Sequence, residues 1–256
     1  MRNYGRLIPT DDFQGIAAAQ FAAEDLRVRR CIVLDDDETF GWGVAQSFVE
    51  AATDVGIEVV VRTAWDPRAR SYLAFFQNMK RLDPDCIYLG GINDNNGEQL
   101  IRDKVAVFGA NDGPVKLIAP DGFSGYPSLQ TSGDAQGMYI TFAGLPIDEM
   151  IARSPVVATF VDAFAAEYGH APATTYALYG AAAMQYIVKS IAASDGTRRG
   201  VRDAAFSGQI AVSSDESLIG QAFTLDPATG DVAGGDISVQ QMDLGGEVFV
   251  KSVTVG

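Results

Sequence analysis

Three short segments hold side chains whose types and spacing could do chemistry. They are Asp35-Asp36-Asp37-Glu38-Thr39-Phe40-Gly41-Trp42-Gly43, Gly90-Gly91-Ile92-Asn93-Asp94 and Pro120-Asp121-Gly122-Phe123. Each follows a short apolar run that reads as a buried strand. Phe40 and Ile92 offer two apolar walls, and Asp121 offers one carboxylate. Such a set suits a small ligand with an ammonium group and an apolar side chain. A carboxylate at a cleft rim pairs the amine through charge-assisted hydrogen bonds, while the apolar walls exclude water. The competing reading is structural, since aspartate is also a common solvated turn former.

Other chemistry is thinner. The acidic run Asp35 to Glu38 has oxygens for a hard cation, but four consecutive acids point in different directions and lack calcium-loop spacing, so a solvated turn is expected. The glycines of Phe40-Gly41-Trp42-Gly43-Val44-Ala45-Gln46 resemble a dinucleotide fingerprint only faintly. The third glycine would fall at Gln46, and nicotinamide binding is rejected. One histidine and two cysteines cannot build a zinc cage or a disulfide framework. Cys31 and Cys86 open strands that would be neighbours, and free core thiols are expected there. His170 sits in the turn Tyr168-Gly169-His170-Ala171-Pro172, where exposure is expected and a catalytic role is not. No metal and no cofactor are expected.

The elements that must position these residues belong to a chain of 256 residues, 47% apolar and 20% charged, enough for a sizeable core in one large or two small domains. The formal charge of −14 repels phosphate backbones and anionic surfaces, which argues against nucleic-acid binding. No run approaches the ~20 apolar residues of a membrane helix. The start, Met1-Arg2-Asn3-Tyr4-Gly5, has no apolar signal-peptide core.

From Arg29 onward, short β-branched runs alternate with amphipathic stretches, the pattern of βαβ units on a parallel sheet. Strands are expected at 31–34, 57–61, 86–89, 115–119 and 138–142. Helices are expected after the first, second and third, and an alanine-rich helix at 15–26 precedes them all. Open parallel sheets bind ligands outside the carboxyl ends of their strands, where strand order reverses. With the order 2-1-3-4, Phe40, Ile92 and Asp121 line one rim. After Pro146, helices at 155–168, 174–193 and 197–206 follow with no strand between them, and the tail reads as strands at 221–225, 237–241 and 248–253. The last two are joined as a hairpin. The helices between 147 and 208 therefore have apolar faces but no sheet of their own to cover.

At this point the motifs resemble a known family, the type I periplasmic binding proteins, and within it the leucine/isoleucine/valine-type substrate-binding components of ABC transporters. The likeness runs from Thr10-Asp11-Asp12-Phe13-Gln14-Gly15, similar to the first crossover between lobes, through Phe40-Gly41-Trp42-Gly43, similar to a "YGxG" segment. It continues through Asp83 to Gly91, Pro120-Asp121-Gly122, Phe160 to Gly169 and Tyr176 to Tyr179, to Gly220-Gln221-Ala222-Phe223-Thr224-Leu225-Asp226. Each motif is loose, but seven in the right order are specific.

The resemblance implies an α/β, Rossmann-like fold of two lobes joined by three crossover strands, closing on a ligand in the cleft. It implies ligand-binding roles for Phe40, Ile92, Asp121, Gly122 and Asp11, with the acid holding the ligand's amino group. Tyrosine is common in the family where Phe40 and Ile92 stand, so this half-pocket loses hydroxyl groups, and a bulky hydrophobic amino acid fits it better than a polar one. Asp121 is one methylene shorter than the usual glutamate.

Residues 11–142 and 221–256 are expected to form a complete second lobe, and 147–208 to be remnant helices of the first. Family members begin with a βαβ half of lobe one, whereas this chain starts at the first crossover, so a truncated piece is expected. Its uncovered apolar face is expected to self-associate as a homodimer or to repack. The implied function is extracytoplasmic solute binding for uptake of branched-chain or other hydrophobic amino acids through an ABC transporter permease. The implied location is periplasmic, or extracellular and membrane-associated, and no catalysis is implied. The rivals are a ligand-sensing domain of the same fold and an α/β enzyme, and no G-x-S-x-G occurs to support the enzyme.

Overall fold

β-Branched runs in this chain become strands where both of their faces can be covered. The structure, a computed structural model, describes residues 3–256; Met1 and Arg2, part of the start read above for an export signal, lie outside the described residues. The chain divides into two units. The larger comprises residues 11–143 and 237–255, and the smaller comprises 3–10, 144–236 and Gly256.

The larger unit runs α1 (Asp11–Glu24), β1 (Arg30–Asp35), α2 (Thr39–Asp54), β2 (Glu58–Ala64), α3 (Leu73–Lys80), β3 (Cys86–Gly90), α4 (Gly97–Phe108), β4 (Lys116–Ala119), α5 (Pro127–Thr131) and β5 (Tyr139–Ala143). The smaller unit runs α6 (Ile147–Arg153), α7 (Pro155–Tyr168), α8 (Thr175–Ala192), α9 (Arg198–Ala205), β6 (Ala211–Val212) and β7 (Phe223–Thr224). The chain then returns through β8 (Gly235–Asp243) and β9 (Gly246–Val255) to the larger unit.

The main sheet has the order β2-β1-β3-β4-β5-β8-β9, parallel from β2 to β5 and antiparallel from β5 to β8. Strand order therefore reverses between β1 and β3, as the expected 2-1-3-4 arrangement requires. Alternation along each strand sorts side chains to two faces. Ile32, Leu34, Ile87, Leu89 and Leu117 join Phe76, Leu100 and Phe123 in one core. Cys31, Val33, Cys86, Tyr88 and Ile118 join Ala18, Ala22, Ala45 and Phe48 in the other. Cys31 and Cys86 are register partners on adjacent strands, both buried and free.

The alanines of α1 serve a close helix contact. A Cβ at Gly15 would lie 2.6 Å from Phe48 N and from Val44 O, so α1 meets the backbone of α2 directly. Lys104 is buried with its Nζ donating to three carbonyls, those of Gly109, Ala110 and Val115, which ties the end of α4 to the start of β4.

Among its described residues the smaller unit holds four helices where the sequence predicts three, because α6 precedes Ser154. Ser154 Oγ accepts from the Val157 N–H and Pro155 occupies the first helical turn, so a new helix starts there. α8 buries Leu178, Tyr179, Ala182 and Tyr186, while Met184, Ile187, Val188 and Ile191 are exposed. The boundary expected at Gln221 falls instead at Ile237. Residues 221–236 group with the smaller unit because Phe223 pairs with Val212 and Asp231 with Arg6, whereas Ile237 is the first residue to pair with β5. Likewise the expected strand at 221–225 shortens to Phe223–Thr224.

Candidate ligand-binding site

The carboxyl ends of β1 and β3 lie level, since Asp35 pairs with Gly90. Loops leaving these ends have backbone N–H groups that the sheet no longer satisfies, and the acidic run supplies acceptors. Asp36 Oδ2 accepts from the Ile92 N–H at 3.2 Å and from Asn95 Nδ2 at 2.8 Å, and its Oδ1 accepts from the Glu38 N–H at 3.2 Å. Asp35 Oδ1 accepts from the Asp37 N–H, and its other oxygen lies 3.6 Å from an Arg62 nitrogen. Asp35 and Asp36 are buried. The expectation of a solvated turn therefore holds only for Asp37 and Glu38; the first two acids are struts that hold the β1 and β3 loops together.

Glycines let these loops meet. A Cβ at Gly41 would sit 2.5 Å from Gly90 O, and one at Gly91 would sit 2.5 Å from the Trp65 ring. A Cβ at Gly122 would sit 2.3 Å from Gly91 O and 2.8 Å from Ile92 Cγ2. The Asn93 N–H donates to Gly122 O at 2.9 Å, and Trp65 Nε1 donates to Asn95 O at 2.8 Å.

The expected site residues fall within this cluster of loops. Phe40, in the first turn of α2, is half-buried, and so is Ile92, directly after Gly91. Asp121 and Gly122, both half-buried, open a 3-10 turn, Asp121–Phe123, at the end of β4. Gly122 touches Ile92, and Gly41, next to Phe40, touches Gly90. Asp11 is exposed at the start of α1, one helical turn before Gln14, whose side chain bonds Asp121. All five residues belong to the larger unit.

Sequence reasoning missed Gln14, Asp36, Asn95 and Thr141. Gln14 had a readable signal: it is the one amide on the stripe Gln14, Ala18, Phe21 and Ala22, which is otherwise apolar. Asn95 and Thr141 had none, because their partners lie far off in sequence. Below the rim, Tyr88 stacks on Phe48 with ring centroids 4.2 Å apart. Burial first, and then the charge of Asp121, push the Tyr88 phenol well above its ordinary range. His170 is exposed in the smaller unit. Among the described residues no group of three or more His, Cys, Asp or Glu is placed to hold a metal ion, and no helix is long and apolar enough to cross a membrane. The arrangement is one of two half-buried apolar side chains, Phe40 and Ile92, and a carboxylate, Asp121, held by Gln14.

Known proteins resemble this chain in sequence and in fold. The sequence pattern of a family described as periplasmic binding protein matches residues 2–247. The leucine-, isoleucine-, valine-, threonine- and alanine-binding protein of Pseudomonas aeruginosa is 26% identical over 187 residues, covering 73% of this chain and 47% of that protein. The chain thus spans about half the length of this curated relative. The crystal structure of a leucine binding protein LivK from Thermotoga maritima superposes with a TM-score of 0.76 at 21% identity, covering 97% of this chain and 67% of that one. An ABC transporter substrate-binding protein from Desulfitobacterium hafniense, solved in complex with Leu, superposes with a TM-score of 0.74 at 21% identity, covering 96% of this chain and 67% of that one. With a mostly parallel α/β sheet reversing at β1 and β3, and a family pattern matched over nearly its whole length, the chain belongs to the type I periplasmic binding proteins.

Proposed function

We propose that the protein is an extracytoplasmic solute-binding component for uptake of branched-chain or other hydrophobic amino acids through an ABC transporter permease, with no catalytic step of its own. In this reading Asp121 pairs the ligand's ammonium group, Phe40 and Ile92 wall its side chain, and Gly122 and Asp11 complete the rim. The observation that carries it is the placement of Asp121 just past the carboxyl end of β4, held by Gln14, with the adjacent Gly122 against Ile92 of the loop that leaves β3. A carboxylate there, next to apolar walls, favours a ligand that is cationic at one end and apolar at the other. The names of relatives that bind leucine, isoleucine and valine support the same class of solute. Residues 11–143 with 237–255 act as the second lobe, and the smaller unit as part of the first.

Isothermal titration with leucine, isoleucine and valine tests this reading. The expected result is saturable binding that Asp121→Asn weakens by about tenfold or more, the scale of a lost charge-assisted hydrogen bond. Binding that is unchanged in Asp121→Asn, or no binding of any of the three, would overturn it.

A further inference from the structure

The rim carboxylate is held from beneath. Gln14 is fully buried. Its Nε2 donates to Asp121 Oδ1 at 3.0 Å, and its Oε1 accepts from the Asp121 backbone N–H at 3.1 Å. Thr141 Oγ1, also buried, donates to the same Oε1 at 3.5 Å. The two bonds to residue 121 close a ring, so one side chain fixes both the backbone of Asp121 and the direction of its carboxylate. A dry amide is costly unless it is hydrogen-bonded. Turning the carboxylate away would leave Gln14 short of a partner, so the two side chains are held as a unit.

Gln14 has no exposed surface and does not reach a ligand; it acts through Asp121. An ammonium group gains from a carboxylate already aimed at it, whereas the same solute without its amino group gains nothing. Freeing the carboxylate would make each binding event supply the ordering that Gln14 now supplies beforehand. We propose that Gln14 is a specificity-determining positioning residue, setting the preference of the site for an ammonium-bearing solute over its deaminated counterpart. The inference rests on the binding reading above.

The probes are leucine and 4-methylpentanoate, the same carbon skeleton without the amino group, titrated against the full chain, Gln14→Met, Asp121→Asn and the double variant. Urea unfolding of each variant reports the folded fraction. Gln14→Met is expected to weaken leucine about tenfold, one lost buried hydrogen-bond pair, and to leave 4-methylpentanoate within about twofold. Asp121→Asn is expected to abolish the preference, and adding Gln14→Met to it to cost nothing more for leucine. Equal weakening of both probes by Gln14→Met, or additive losses in the double variant, would overturn the inference and leave Gln14 a packing residue. An effect of Asp121→Asn with none from Gln14→Met would also sink it, while the binding reading survives. No effect of Asp121→Asn on leucine removes the binding reading itself.

Should Gln14→Met fail to fold, Gln14→Glu keeps the size and the acceptor but loses the donor. Burial and the neighbouring Asp121 charge raise the pKa of an acid at this position, so the leucine preference of Gln14→Glu is expected to hold at low pH, where the protonated acid donates, and to fall as pH rises and it ionises. A preference in Gln14→Glu that changes with pH no more than that of the unaltered chain counts against the inference.

Discussion

The larger unit covers its sheet on both faces, whereas the smaller unit has helices and a ladder of only two residues per strand, β6 with β7. In the first, β1 and β3 are buried almost end to end, and α1 approaches α2 until only glycine fits between them. In the second, α8 leaves Met184, Ile187, Val188 and Ile191 in contact with solvent. The contrast teaches how differently the same helix signal is used. Apolar residues at helical spacing predict a helix in either unit, but their burial depends on a sheet to pack on.

The contrast can be broken most forcefully at the helix contact. Gly15→Leu should lower unfolding free energy by about 3 kcal/mol, since a side chain there meets backbone atoms that cannot retreat. Urea unfolding followed by the circular dichroism of the whole chain checks this, and a loss below about 1 kcal/mol would mean that α1 and α2 separate easily.

The matching glycine in the smaller unit should behave in the opposite way. Gly180 lies within exposed α8 with open space around its Cβ position, so Gly180→Ala should stabilise by up to about 1 kcal/mol.

A smaller effect separates the two units by pH. Tyr88 in the larger unit and Tyr179 in the smaller are both pushed up, chiefly by burial. The unfolded chain releases phenolic protons near pH 10 while the folded chain keeps them. The linked stability is therefore complete below about pH 10 and is lost as pH rises above it. Among the described residues the Tyr88 hydroxyl has no hydrogen-bond partner, so Tyr88→Phe should keep the stack on Phe48 and change neutral-pH stability by no more than about 1 kcal/mol, in the stabilising direction. It should also flatten part of the alkaline loss, which unfolding titrations at pH 9 and pH 11 would detect.

The smallest stability effect belongs to the exposed face of α8. Val188→Lys should shift unfolding by no more than about 0.5 kcal/mol. If that face joins two copies, as the homodimer expectation holds, light scattering should give a dimer mass that this substitution lowers; a mass unchanged from the monomer in both proteins would count against self-association.

The candidate rim shows how much was legible. Phe40, Ile92 and Asp121 could be nominated because strand runs in the sequence end just before them, and the general rule for parallel sheets points to those ends. The roles of Asp35 and Asp36 could not, because a run of acids gives no sign of which members turn inward. Only the adjacency of β1 and β3 brings the Ile92 N–H and the Asn95 amide to Asp36. Residues 221–236 were misplaced for a related reason. Their β-branched and aromatic character predicts a strand, but pairing with Val212 decides which unit owns it.

The sequence by itself determined most of the elements and their order, because hydrophobic period, β-branched runs and turn residues act over a few positions. It also determined the family, because many loose motifs in a set order are hard to meet by chance. Only the tertiary structure decided which polar side chains became dry and paired. The hydrogen bonds of Gln14 to Asp121 span 107 positions, and those of Asp36 to the β3 loop span 56 and 59. Such bonds depend on strand order and close backbone approach, and no local pattern encodes them.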